Sequence, residues 1–243
     1  MKRTCRVLAI NGSHRSEKGF TQIVLDRFLE GAESARAHPE VLYPSREKIT
    51  PCSACGKCMF ETPGECMFHD AMETIIPKMQ EADILVFACP VYFDSLPSNM
   101  QKMIERLRVT LDARFEFRNG RTYHLKRDGT PKTVVNLLTA GNPERESFTS
   151  TSRVLARIID NMGWTPAGTV AFPASHLLAT EPERLAEQLN AVAMCGREIV
   201  SKGEINAETL QAANRQYIDS PKEMVQDMTR MIVRMREENR ARP

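Results

Sequence analysis

Apolar runs of seven or so residues alternate along the chain with stretches in which apolar positions recur every three or four residues. The runs read as strands and the stretches as helices. The opening run, CRVLAIN, breaks into the polar turn GSHRSEKGFTQ and resumes as IVLDRFLEGA, so residues 5–32 predict strand, loop and helix. HPEVLY at 38–43 predicts a short second strand. ADILVFACP at 82–90 is continuously apolar, as strands covered on both faces are, and Pro90 ends its pairing. KTVVNLLTAG at 132–141 and TPAGTVAFPA at 165–174 predict the fourth and fifth strands. Further helices are expected at 71–81, 98–110, 147–162 and 181–201, the first opened by a capping box in which Asp70 serves free N–H groups and Glu73 reaches back. Five strands alternating with helices predict an α/β fold, a doubly wound five-stranded parallel sheet with right-handed crossovers.

Two stretches stand outside this alternation. RFEF-RNGR-TYHL places Asn119-Gly120 between two alternating segments, which predicts an inserted hairpin at 114–126. Beyond Gly203, Ser220, Pro221 and Glu223 form a cap signature, and Met224, Met228, Met231 and Met235 follow at spacings of four, three and four. The expected organisation is a domain at 1–203, with a cysteine loop at 50–68, and a helical extension at 204–243. The methionine stripe either packs on its own domain or is exchanged across a homodimer, and the second is favoured because the sheet is already covered. A homotetramer stays open.

With 243 residues the chain can bury a full core, as one domain of about 200 residues with appendages. A net charge of +2 implies no extended nucleic-acid footprint. MKRTCRVLAIN leads straight into a strand, and no apolar run approaches the roughly 20 residues of a membrane span, so a soluble, cytoplasmic protein is expected. Seven cysteines, four of them between positions 52 and 66, favour metal or redox chemistry in a reducing compartment over a disulfide framework.

In an open parallel sheet, ligands sit beyond the carboxyl ends of the strands where strand order reverses, which here selects loops 12–20, 90–98 and 141–147. The first precedes a helix whose free N–H groups attract an anion, and Ser13, Arg15, Ser16, Gly19 and Thr21 add hydroxyls, a guanidinium and bare backbone. Neither the nucleoside-triphosphate pattern nor the dinucleotide pattern is present. That leaves a flavin mononucleotide phosphate as the leading ligand, with a plain helix cap as the alternative. The second loop offers Pro90, Val91, Tyr92 and Phe93, whose amides and rings suit an isoalloxazine. The third offers Ala140, Gly141 and Asn142, where a small residue lets the ring's polar edge reach the backbone.

GSHRSEKGFT resembles the phosphate loop of the flavodoxin-like NADPH-dependent FMN reductases, and CPVYFDSLPSNMQKMIER resembles their flavin-ring segment. The resemblance covers roughly residues 5–200. It implies a flavodoxin-like fold, NAD(P)H as co-substrate, and FMN held by Ser13, Arg15, Gly19, Phe20 and Thr21 at the phosphate and by residues 90–93 at the ribityl and ring. Phe20 departs from the pattern, because the family usually has a small or amide residue there.

Cys52, Cys55, Cys58 and Cys66 are spaced C-x2-C-x2-C-x7-C. Three thiolates on a short loop with a fourth further on suit a [4Fe-4S] cluster better than zinc, which more often takes two separated pairs. Zinc and unligated redox thiols remain open. The arrangement resembles the cysteine motif of the iron-sulfur flavoproteins, a branch of the same fold, and x7 lies at the long end of their last spacing. In that branch the flavin is often contributed by the neighbouring subunit. Cys5, Cys89 and Cys195 read as core residues, and His69 and His176 as structural histidines. The expected function is an FMN-dependent oxidoreductase passing electrons from NAD(P)H or a ferredoxin-type donor to a small acceptor. A cluster-free NAD(P)H:FMN or quinone reductase and a non-enzymatic electron carrier are the alternatives. No side chain is assigned as acid or base, since the flavin carries the chemistry.

Overall fold

The computed structural model describes residues 4–240. The strands in chain order are β1 (Arg6–Asn11), β2 (His38–Leu42), β3 (Ile84–Pro90), β4 (Leu111–Arg118), β5 (Arg121–Lys126), β6 (Thr133–Thr139) and β7 (Thr165–Phe172). The helices are α1 (Phe20–Ser34), α2 (Lys57–Phe60), α3 (Met72–Glu81), α4 (Ser98–Arg106), α5 (Thr149–Met162), α6 (Leu177–Thr180), α7 (Ala186–Lys202), α8 (Ala207–Ala213) and α9 (Pro221–Arg240). Five strands form one parallel sheet in the order β2-β1-β3-β6-β7. This is the flavodoxin-like order, and its reversal lies between β1 and β3.

Alternation along β3 shows why such strands read as unbroken apolar runs. Ile84, Val86 and Ala88 face a core layer built with α1, α6 and α7, while Leu85, Phe87 and Cys89 face a second layer built with α3, α4 and α5. The predicted hairpin forms as β4 and β5, and its first strand begins at Leu111 rather than 114. Asn119 and Gly120 both take positive φ, 52° and 75°, as a two-residue turn between twisted strands requires.

The helix ends differ in detail from the sequence expectation. Residues 107–110, 145–148 and 182–185 coil more tightly as 3-10 turns, so α4, α5 and α7 are shorter than predicted. The capping box is only half formed. Asp70 accepts from the Met72 N–H at 3.0 Å, but Glu73 bonds His69 Nδ1 at 2.7 Å instead of reaching back. Cys5 lies just before β1, with its carbonyl accepting from the His38 N–H, while Cys89 and Cys195 are core residues as expected.

Within the C-terminal extension, α8 packs on the domain. Asn214 donates to the Thr169 carbonyl and accepts from the Ala171 N–H, which occupies the open edge of β7. Tyr217 and Ile218 join the core layer. α9 behaves differently, with Met224 against the core and Met231 and Met235 exposed.

Candidate functional site

Beyond β1 the backbone turns at Gly12, whose N–H donates to the Ala88 carbonyl at 2.7 Å and so ties the first loop to β3. The loop then folds on itself. Asn11 accepts from the Ser13 N–H, and the buried Ser13 hydroxyl accepts from the Arg15 N–H. Ser16 has φ 50° and shares a hydrogen bond with Ser45 at 2.8 Å. Gly19 is pressed against Ser13, and a Cβ there would stand 2.4 Å from Ser13 Oγ. α1 follows directly. Among the described residues its first two N–H groups, of Phe20 and Thr21, have no protein acceptor. Arg15 is exposed, with its guanidinium 5.4 Å from the Phe20 ring centre. Phe20 thus removes a polar side chain from the loop and gives Arg15 an aromatic face to rest on. The Thr21 hydroxyl meets that of Thr139 at 2.7 Å, joining α1 to the end of β6.

The second loop comes to the first through aromatic rings, with His14 and Tyr92 stacked at 5.8 Å and only 7° apart. His14 was not singled out from the sequence, where nothing marks a partner 78 positions away. Residues 92–95 form a tight hairpin turn in which Phe93 and Asp94 both take positive φ, at 48° and 55°. Two non-glycine residues held there cost on the order of 1 kcal/mol each, and the Phe93 ring is fully exposed at the tip. The expectation that loop amides face a ring is corrected in part. The Val91 N–H donates to the Thr139 carbonyl, and Tyr92 and Ser95 exchange N–H and carbonyl bonds, leaving the rings and the N–H groups of Phe93 and Asp94.

In the third loop, the Ala140 N–H is likewise taken by the Phe172 carbonyl. Gly141 and Asn142 are exposed, and their N–H groups have no acceptor among the described residues. Asn99, the second residue of α4 and so next in the chain after the second loop, is buried with both carboxamide atoms unpartnered. A buried amide without a partner is costly, and a polar group bound at this edge would relieve it. Bare N–H groups at a helix start, a nearby guanidinium, aromatic rings and free loop amides together fit a phosphate-bearing aromatic ligand such as FMN.

A second constellation lies on the α3–α4 side. The Cys58 thiol is pushed up by burial and by Cys66, against the pull of Arg108, with Cys52 and Cys55 adding to the rise. Cys55 is exposed and lowered, chiefly by the Lys57 N–H. Among the described residues no three His, Cys, Asp or Glu side chains are gathered as an ion's ligand set. The donor chemistry fits an iron-sulfur cluster, while the thiols stand apart in this conformation. Neither His69, exposed against Glu73, nor His176, whose pKa is lowered by burial, faces the thiols in a formed hydrogen bond.

The floor beneath this loop is a buried ion pair between Arg106 and Asp70, with Nη1 2.7 Å from Oδ2. Burial alone would raise the Asp70 carboxyl, but Arg106 and the N–H groups of Thr50 and Met72 outweigh it and lower it to about 2. The folded value lies below the ordinary one, so this contribution is complete above about pH 4 and is lost as pH falls towards 2. The loss amounts to about 2 kcal/mol. Urea unfolding at pH 5 and pH 2.5 measures it, and an Asp70→Asn variant that keeps the same acid loss would show that other groups cause it.

Comparison with known proteins agrees with this geometry. Residues 5–126, just over half the chain, match the model of the NADPH-dependent FMN reductases. An iron-sulfur flavoprotein of Methanosarcina thermophila is 28% identical over 114 residues, covering 47% of this chain and 58% of that protein. The chain thus spans little more than half the length of that curated relative. An NAD(P)H:quinone oxidoreductase from Methanothermobacter marburgensis superposes with a TM-score of 0.61 at 16% identity, covering 81% of this chain and 98% of that one. An FMN-dependent NADH-azoreductase from Bacillus anthracis does so at 0.57 and 15%, covering 84% and 100%. At such identity the two structures speak for the fold, and the family match carries the assignment: the chain belongs to the NADPH-dependent FMN reductase family.

Proposed function

We propose that this protein is an NAD(P)H-dependent FMN oxidoreductase that hands electrons to a small acceptor. The observation that carries the reading is the meeting of three loops at the reversal of strand order, with the Phe20 and Thr21 N–H groups bare at the start of α1. Ser13, Arg15, Gly19, Phe20 and Thr21 would hold the phosphate. Pro90, Val91, Tyr92, Phe93, Ala140, Gly141 and Asn142 would hold the ring. FMN, when bound, supplies acceptance of a hydride and release of electrons singly or in pairs. The chain's residues orient and shield it: Gly19 keeps the phosphate path narrow, the His14–Tyr92 stack sets the distance between two loops, and Phe93 offers a ring face at the solvent edge. Stopped-flow mixing with NADPH or NADH tests the reading, with flavin bleaching expected. A flavin that stays oxidised through many seconds would reject it.

Cys52, Cys55, Cys58 and Cys66 would hold a [4Fe-4S] cluster, as their C-x2-C-x2-C-x7-C spacing favours. The separation of the thiols favours the second reading, a cluster-free reductase whose cysteines bind zinc or stay free. The absorption spectrum of anaerobically purified protein, before and after dithionite, separates them. Flavin bands on a broad bleachable shoulder are expected, and flavin bands alone would establish the cluster-free form. A ferredoxin-type donor is a further partner under the first reading.

α9 would pair the chain with a second copy, because Val225, Met231, Ile232 and Met235 leave an apolar face exposed. Ending the chain at residue 219 is expected to lower the sedimenting mass from oligomer to monomer. An unchanged assembly would place the interface elsewhere. No helix among the described residues is long and apolar enough to cross a membrane.

A further inference from the structure

The cysteine loop is held at both ends by one side chain that belongs to neither. α4 ends on Arg106, which is 2% exposed and among the largest fully buried side chains. Its Nη1 donates to the Thr50 carbonyl and to Asp70 Oδ2, each at 2.7 Å. Its Nη2 donates to Asp70 Oδ1 at 3.3 Å and to the Phe68 carbonyl at 3.4 Å. The Phe68 ring centre also lies 5.3 Å from the guanidinium carbon. Thr50 and Phe68 stand at the two ends of the 50–68 loop, so a single planar fork closes it. Lysine has no such geometry, being one point charge on a flexible stem.

One donor remains. Arg106 Nε is buried with no hydrogen-bond partner. Cys66 lines the same cavity as Arg106, together with Phe68 and Met72, so its sulfur stands on the side of this guanidinium. A buried, unmatched N–H of a charged group is costly, and a thiolate next to it is an acceptor of the right sign.

We propose that Arg106 is a positioning residue for the four thiols: its fork fixes the ends of the 50–68 loop, and its Nε–H is the donor for the Cys66 sulfur when that residue serves as a thiolate ligand. The inference rests on reading the cysteine loop as a ligand set. It also links the two constellations, because α4 begins directly after the ring loop and is nine residues, about 13 Å, long. One rigid helix thereby sets the separation of the ring loop from the thiols.

The test uses the full-length chain, made metal-free by chelation without oxygen. Tryptic cleavage after Lys57 reports opening of the loop, and alkylation of the buried Cys89 reports opening of the core. Arg106→Lys is expected to speed cleavage at Lys57 about tenfold while Cys89 stays protected. After incubation with ferrous iron and sulfide it is expected to retain less than a tenth of the wild-type iron. A D70N/R106M variant, which removes both buried charges, is expected to behave in the same way and covers the case in which R106K unfolds. Wild-type cleavage and iron uptake in a variant with a closed core would overturn the proposal. So would exposure of Cys89 in both variants, because the pair would then hold the whole domain and not the loop. Failure of the wild-type chain to take up iron would reject the cluster reading, while the cleavage contrast would still decide the role of Arg106 in shaping the loop.

Discussion

Gly19→Val is expected to lower FMN affinity at least 100-fold, about 3 kcal/mol, while leaving the protein folded. The reason is space and not backbone freedom, since φ −86° and ψ 154° at Gly19 suit any residue. A Cβ there would stand 2.4 Å from Ser13 Oγ and 3.4 Å from the Ser16 carbonyl. The hydroxyl can rotate away only by releasing the Arg15 N–H, and the loop then loses the bond that shapes it ahead of α1. Valine adds two methyl groups that no rotation relieves, so it should exceed alanine in effect. Equilibrium dialysis against FMN and against riboflavin locates the loss. A defect at the phosphate weakens FMN and spares riboflavin, whereas equal weakening of both would mean that the second and third loops had moved. Removing the obstructing hydroxyl in a G19A/S13A variant should restore part of the affinity. Binding within threefold of wild type in Gly19→Val would dismiss loop 12–20 as the phosphate site.

The strands were legible because each parallel strand is buried on both faces, so VLAIN and ILVFACP carry an apolar signal that no partner needs to confirm. The hairpin was legible because Asn119 and Gly120 meet a local demand for positive φ. Given the strand order, the topology alone placed the three loops at one edge. What stayed hidden depends on partners distant in sequence. Arg106 and Asp70 look like two ordinary charges until the fold brings them together across 36 positions. Glu73 had the right spacing for a capping box, yet His69, one turn earlier, competed for its carboxylate. The strain at Phe93 and Asp94 runs against local preference altogether, and its cause is the closed turn between Tyr92 and Ser95. Availability of amides is the subtlest case, for Val91 and Gly141 look alike in sequence while only Val91 is already bonded.

Gly31→Ala is expected to destabilise the flavin-free protein by about 3 kcal/mol or more, or roughly 10 °C in Tm. α1 and α7 cross in contact at two glycines. A Cβ on Gly31 would lie 1.8 Å from the Ala193 carbonyl oxygen, and one on Gly196 would lie 1.9 Å from that of Phe28. Both obstacles are backbone, so relief requires the helices to move apart and open the layer that holds Phe28, Leu189, Val192 and Cys195. The better intrinsic helix propensity of alanine, worth about 1 kcal/mol, is too small to compensate. Because the N-terminus of α1 carries the bare N–H groups of Phe20 and Thr21, bound FMN should restrain the displaced helix. At 100 times its dissociation constant FMN contributes about 3 kcal/mol, enough to recover much of the loss. Thermal unfolding with and without FMN therefore reads two things at once. A lowered Tm that FMN raises means the crossing has loosened with the phosphate loop intact. A lowered Tm that FMN leaves unchanged means the shift has travelled along α1 to its first turn, and an unaltered Tm without FMN would refute the close crossing itself.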